Sequence, residues 1–452
     1  MPAKRLAIAV ALSLPGILAS NVHAQTITIR IGHQSMCTDT YPAGVAIKGL
    51  HLLEKYLPHT GKYKGVSYDI VWRNYSSGAP ITNMMLANKL DFGVMGDYPL
   101  VVNGAKFQQT RNDRSILFSM TAYNLDGAGN SIAVPTSSPI TSVKQLVGKD
   151  ISVPVGSSAW GMLYEMAQQA GLKYSDFKVS NQTPMVGISA IAARKIDAHA
   201  DFCPMAEYME YKGTGRMIYS GAETKIPYLH GVVVTRAFAR KYPEIVVAYA
   251  KAVVAADRWI AENPYVASKK MAAWTMIPKE VLYLYFSRGG YLTPDPTIKA
   301  KWLDTLAYDH SLLAKYAHVP PLDMHQWVDA SYLKTAYQQM GLNYAKQAAT
   351  LKNPQADTHM PPEIWVAGKG IQHYGTNAEM FQALGKLSGK GQDIDAVYVY
   401  DAQSGLKMFG KTAWYVKDGS SIDAYLTKGE AVREQKEKGG QVLSYTQLRA
   451  AA

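Results

Sequence analysis

The stretch Lys89-Leu-Asp-Phe-Gly-Val-Met-Gly-Asp-Tyr-Pro99 decides the fold, because its order returns at Lys195-Ile-Asp-Ala-His-Ala-Asp-Phe-Cys-Pro204. Each reads as a short apolar strand entered through a charged turn and left through an acidic, Pro-containing loop. The surroundings repeat as well. Before the first copy lie a strand at Thr26 to Ile31, a helical pattern at Val45 to Tyr56, a strand at Tyr68 to Trp72 and a helix at Ile81 to Asn88. Before the second lie a strand at Asp150 to Val155, a helix at Trp160 to Gln169, a strand at Phe177 to Ser180 and a helix at Val186 to Ala193. A βαβαβ order implies a parallel sheet covered by helices, and one unit used twice predicts two similar lobes. Ligands collect at the carboxyl ends of parallel strands, so the facing loops of two such lobes make a cleft that a hinge closes.

Strands at Ser115 to Tyr123 with Ser131 to Pro135, and at His230 to Thr235, are expected to carry the chain to the second lobe and back. Helices are expected at Tyr242 to Asn263, Lys279 to Phe286, Ile298 to Lys315 and Met324 to Met340. The stretch 346–362, with Lys-Asn-Pro and Met-Pro-Pro and little periodicity, reads as a linker. Beyond it, strands at Trp365 to Tyr374, Ala396 to Tyr400, Thr412 to Val416 and Val442-Leu443, with helices at Thr376 to Leu384 and Lys428 to Lys438, predict a small α+β domain over 363–452.

The 452 residues carry a net charge of +12, 48% hydrophobic residues and two cysteines, which excludes disordered, collagenous and disulfide-dense classes. The positive charge is spread out and forms no Lys/Arg arm, so no nucleic acid is expected as partner. Thirty tyrosines against nine phenylalanines suit rings with one wet edge, as in large clefts. Residues 1–24 read as a secretory signal peptide: Lys4 and Arg5, an apolar run from Leu6 to Leu18, then Val22-His23-Ala24 as the cleavage site. The run is too short to span a bilayer, so the expected mature chain starts near Gln25 and inserts into no membrane.

Candidate ligand-binding residues sit on the strand-exit loops. They are Ser35, Met36 and Cys37 after the first strand, Tyr75, Ser76 and Ser77 after the second, and Asp97 and Tyr98 after the third. Tyr123 lies at the crossing. Gly156, Ser157, Ser158 and Trp160 open the second lobe's first helix, followed by Thr183 and then Asp201 and Cys203. Gly156-Ser-Ser158 at a helix start is both an anion seat and a plain cap. For any single aromatic an ordinary core or surface ring outweighs a cleft wall, and Tyr98 and Trp160 are the stronger cleft candidates because they sit beside the cleft loops. Cys37 and Cys203, one per lobe, leave three readings open: a disulfide, a soft metal site with His199 as third ligand, or two unconnected small residues. Asp39, Asp97 and Asp201 lie in loops without Lys or Arg, an arrangement suited to a cation or amine. No G-x-S-x-G, H-E-x-x-H, P-loop or Rossmann fingerprint occurs, so no enzyme is expected.

The runs Leu86-Ala-Asn-Lys-Leu-Asp-Phe-Gly-Val-Met-Gly-Asp-Tyr-Pro99, Ser142-Val-Lys-Gln-Leu-Val-Gly-Lys149, Gly156-Ser-Ser158, Lys195-Ile-Asp-Ala198, Ala237-Phe-Ala-Arg-Lys-Tyr-Pro-Glu244 and Trp327-Val-Asp-Ala-Ser-Tyr-Leu333 occur in an informative order. Over roughly residues 26–345 the chain resembles the nitrate/sulfonate/taurine (NMT1-like) branch of periplasmic substrate-binding proteins of ABC importers. That resemblance implies an α/β, two-lobed, type II periplasmic binding protein fold over 25–345, with lobe I at about 25–125 and 236–345 and lobe II at about 131–230. It further implies capture of a small solute in the periplasm and delivery to an inner-membrane ABC permease. The C-terminal runs Val397-Tyr-Val-Tyr-Asp401, Ser404-Gly405, Ala413-Trp-Tyr-Val416, Glu430-Ala431 and Gly439-Gly-Gln-Val-Leu443 resemble the NosL-like copper accessory proteins of nitrous oxide reductase. No cysteine follows Cys203, so that family's copper motif has no counterpart here. The expectation is no obligate cofactor, with copper as the metal the cysteines would suit. A periplasmic copper or metal-complex carrier or chaperone is the alternative function.

Overall fold

A computed structural model describes residues 25–110, 114–353 and 360–451. The proposed signal peptide, 1–24, lies outside the described residues. Two sheets form the body. The first has strands β1 (Thr26–His33), β2 (Ser67–Asn74), β3 (Phe92–Gly96) and β4 (Ser115–Asn124). The second has β5 (Ser131–Pro135), β6 (Asp150–Val153), β7 (Lys178–Asn181), β8 (Ala198–Asp201) and β9 (Gly215–Ser220). The chain then returns to the first sheet through β10 (Tyr228–Thr235) and the short β11 (Thr293–Pro294). The orders are β2-β1-β3-β10-β4-β11 and β7-β6-β8-β5-β9. The repeated unit is therefore laid down twice with one topology: β1 and β6 each sit between two parallel neighbours. In both sheets an antiparallel strand delivered by a crossing segment follows, β10 beside β3 and β5 beside β8.

The crossings fall at 125–130 and 221–227, so β10 belongs wholly to the first sheet and the second lobe ends before residue 230. β4 and β10 are buried along their whole length, as central strands covered on both faces must be. Behind the first sheet the long helix Pro243–Glu262 sets Tyr249 flat against Phe92, with ring centroids 4.7 Å apart.

Several expected elements differ in detail. The pattern Val45 to Tyr56 is two helices, Val45–Gly49 and Leu52–Tyr56, broken at His51 in the left-handed region (φ 52°). Met324 to Met340 breaks likewise into Met324–Trp327 and Ser331–Gln339. Asp97-Tyr98-Pro99 is the first turn of a helix, Asp97–Gln108, and not a loop. The expected linker at 346–362 begins inside a helix, Tyr344–Ala348, which Asn343 caps through Lys346 N at 2.9 Å. Trp365 to Tyr374 is a hairpin, β12 (Glu363–Val366) and β13 (Gly370–His373), which turns on Gly368 at φ +74°.

β14 (Ile394–Tyr400) and β15 (Lys407–Phe409) complete the sheet β13-β12-β14-β15. A second small sheet, β17-β16-β18, is built from β16 (Trp414–Asp418), β17 (Ser421–Tyr425) and β18 (Gln441–Ser444). This C-terminal unit touches both lobes. Tyr398 OH donates to Glu280 O (2.9 Å) on the first-lobe side, and Thr412 Oγ1 donates to Glu210 Oε2 (3.2 Å) on the second. No helix among the described residues is long and apolar enough to cross a membrane.

Candidate functional site: the seam between the lobes

The helix starts that follow β3 and β6 meet. Ser158, at the start of the helix Ser158–Gln169, donates its hydroxyl to Asp97 Oδ1 at 2.6 Å across the seam. Asp97 also accepts from Tyr98 N (2.8 Å) and Leu229 N (3.0 Å). Burial pushes the Asp97 carboxyl up to about 6, while these three donors pull against it. Gly161 lets the lobes close this far: a Cβ there would lie 2.2 Å from the Tyr98 ring. Gly156, at φ +84°, takes a left-handed turn opposite the first lobe's Ala79, 3.3 Å from where its Cβ would be.

Tyr98 donates its hydroxyl to Glu165 of the second lobe. Burial raises Glu165 to about 7. Buried Asp309 stands in the same group, its carboxyl pushed well up by burial and by the charges of Asp97 and Glu165. The cavity lined by Asp97, Tyr98, Glu165 and Asp309, with Asn130 and Tyr228, measures about 10 Å³ and has no Lys or Arg in its wall. That is room for one water at most.

Deeper in the seam the two cysteines come together. Cys37 follows β1 and Cys203 follows β8, and their sulfurs are 3.2 Å apart, unbonded and buried. The third donor is His230 on β10, with Nε2 3.5 Å from Cys37 Sγ and 3.9 Å from Cys203 Sγ. Burial drops His230 to about 3, so its imidazole is neutral. Tyr228 OH lies 3.6 Å from Cys203 Sγ. Asp39, raised to about 7 chiefly by burial, sets Oδ2 3.7 Å from His230 Nδ1.

His199, expected as the third ligand, is elsewhere. Its Nδ1 pairs with Ser152 Oγ at 2.8 Å and its Nε2 with Asp201 Oδ2 at 2.7 Å. Its ring lies against Gly187, and both of its nitrogens are engaged inside the second lobe, so it offers nothing to the cysteines beyond the end of β8. Asp201 is thereby committed to His199 and to Phe202 N.

The other candidates scatter. Ser35 is tied through its backbone to Asn74 and Tyr41. Met36 and Tyr75 are half-buried against the core, Ser77 is buried, and Ser76 and Thr183 are exposed. Ser157 caps its helix through Trp160 N (3.3 Å), which is the bland reading of that serine. Trp160 gives its indole N–H to Tyr174 (3.1 Å) within the second lobe. Tyr123 is not at the seam: it donates to Lys352 O and packs on Trp302, ring centroids 4.6 Å apart. The residues overlooked in the sequence are His230, Tyr228, Glu165 and Asp309. Their one signal is a polar atom in an otherwise apolar strand or helix face, as in Tyr228-Leu-His-Gly-Val-Val-Val234.

Residues 64–267 match the family model described as NMT1/THI5 like. The chain is 27% identical over 280 residues to the taurine-binding periplasmic protein of Escherichia coli (strain K12), spanning 60% of this chain and 80% of that one. It is 28% identical over 247 residues to a putative aliphatic sulfonates-binding protein of Bacillus subtilis (strain 168), spanning 54% and 69%. Among solved structures, the alkanesulfonate-binding protein SsuA from Xanthomonas axonopodis pv. citri bound to MOPS superposes with a TM-score of 0.58 at 20% identity. It covers 68% of this chain and 99% of its own, a likeness of fold.

Proposed function

With a body of the NMT1/THI5-like, two-lobed kind as premise, we propose that this chain captures a small solute between its lobes in the periplasm and hands it to an inner-membrane ABC permease, with no bond made or broken. The solute class is that of the relatives, a sulfonate such as taurine or an alkanesulfonate. Those relatives do not favour a copper chaperone as the chain's function.

The observation that carries the reading is the Ser158–Asp97 hydrogen bond, because it joins the helix starts that follow strands of two separate sheets. Opening frees that hydroxyl and the first-turn N–H groups of the helix Ser158–Gln169, which favour an anion. Closure is stabilised by ligand only to the extent that ligand touches both lobes. Calorimetric titration of the mature protein with taurine, alkanesulfonates and nitrate tests this. One-site saturable binding of one of them is expected, weakened about tenfold or more in Ser158→Ala, the equivalent of ~1.4 kcal/mol. No heat with any of the three overturns the proposal.

A further inference from the structure

We propose that Cys37, Cys203 and His230 form a three-coordinate site for a soft cation, Cu(I), bound between the lobes so that the metal staples them together. This goes beyond solute capture and stands on different atoms. The three donors form a nearly equilateral triangle with edges of 3.2, 3.5 and 3.9 Å. The centre of such a triangle lies about 2.1 Å from each corner, the length of a metal–imidazole bond and about 0.2 Å short of a metal–thiolate bond, so the sulfurs move slightly apart on binding. Two sulfurs and one imidazole suit a soft d10 ion, and a set of three donors among the described residues suits Cu(I) better than tetrahedral Zn(II).

A second observation is independent of the triangle. His230 Nδ1 and Asp39 Oδ2 face each other at 3.7 Å, both buried and neither in a hydrogen bond. A carboxylate behind a metal-ligating imidazole fixes its tautomer and leaves the Nε2 lone pair aimed at the metal. The step is a simple exchange. Two S–H bonds break, two Cu–S bonds and one Cu–N bond form as the ion leaves its previous ligands, and both protons leave to solvent with no change of oxidation state.

Cys37 comes from the first lobe and Cys203 from the second, so a bound ion resists opening. The test is competition of the reduced, full-length mature chain against bicinchoninate for Cu(I) under anaerobic conditions, with no sulfonate present. One equivalent is expected to move to the protein. X-ray absorption should report two sulfurs and one nitrogen, and solution scattering should show a chain more compact than without copper. Cys37→Ser and Cys203→Ser should each lose uptake, and Asp39→Asn should weaken it about 10–100-fold. Circular dichroism melts separate loss of site from loss of fold, and the wild-type absorption spectrum needs no variant. No uptake by wild type, equal uptake by folded cysteine variants, or Zn(II) held in preference to Cu(I) each overturns the proposal. A sulfur pair that remains a disulfide unless the chain is unfolded overturns it too. Because no sulfonate is present, failure here leaves the capture reading standing, and failure of taurine to bind leaves this one standing.

Discussion

Glu165 shows how one side chain can tie pH to the stability of the seam. It is buried, bonded to the Tyr98 hydroxyl, and raised from 4.5 to about 7 chiefly by lost hydration. Below pH ~4.5 the carboxyl is protonated whether the chain is folded or not. Between ~4.5 and ~7 only the folded form holds the proton, so folding stability falls as pH rises through that window and the effect is complete above ~7. Glu165→Gln carries no proton to lose. The stability of this variant relative to wild type should therefore rise by about 1.4 kcal/mol per pH unit across the window, as measured by urea unfolding. Parallel curves for the two proteins would contradict the burial argument. Asp97, raised to about 6, contributes in the same direction in both proteins.

At the scale of elements, the helix Ser158–Gln169 sets a local preference against a tertiary one. Glycine at 161 costs an isolated helix about 1 kcal/mol relative to alanine. It is required because the Tyr98 ring of the other lobe rests on it. Gly161→Ala should thus leave or improve local helicity by circular dichroism while shifting the lobes apart in solution scattering. A variant as compact as wild type would contradict the close approach.

The same contrast explains what could be read in advance. The βαβαβ order was legible because strand and helix periodicities alternate over whole segments, and the duplicated order of strands followed from the Lys89 to Pro99 and Lys195 to Pro204 repeat. Helix breaks were not legible. His51 adopts the left-handed conformation inside an unbroken apolar period, while Gly49 two residues earlier, the residue that would signal a break, does not. The cysteine pair was visible as a pair, but its partner was misassigned. His199 is near Cys203 in sequence but is held by Ser152 and Asp201, whereas His230 arrives from a strand that crosses back from the second lobe. Short β15 and β17 were missed because three to five residues carry too little alternation to stand out.

On the scale of the whole molecule, the C-terminal domain is a brace. Lys407 of β15 is fully buried, pairing with Glu363 at 2.9 Å and Ser287 Oγ at 2.6 Å. Its ammonium also sits 4.4, 5.1 and 5.4 Å from the rings of Tyr283, Tyr398 and Tyr400. Ser287 and Tyr283 belong to the body, so this buried charge fastens the two units together. Phe409 meets Tyr211 of the second lobe at 5.8 Å, so an opening motion has to loosen one side of the brace. Lys407→Met leaves Glu363 buried without its partner and should cost about 3–5 kcal/mol in unfolding experiments. Adding Glu363→Gln should recover most of that loss, and a double variant no more stable than the single one would contradict the pairing.

The central claim is that two matched lobes shut on a solute. Small-angle scattering of the full mature chain, recorded while taurine, an alkanesulfonate or nitrate is added, addresses it without any variant. The account predicts that the radius of gyration falls and saturates at one equivalent of one of these solutes. A radius unchanged by all three, in a protein that remains folded, would contradict it.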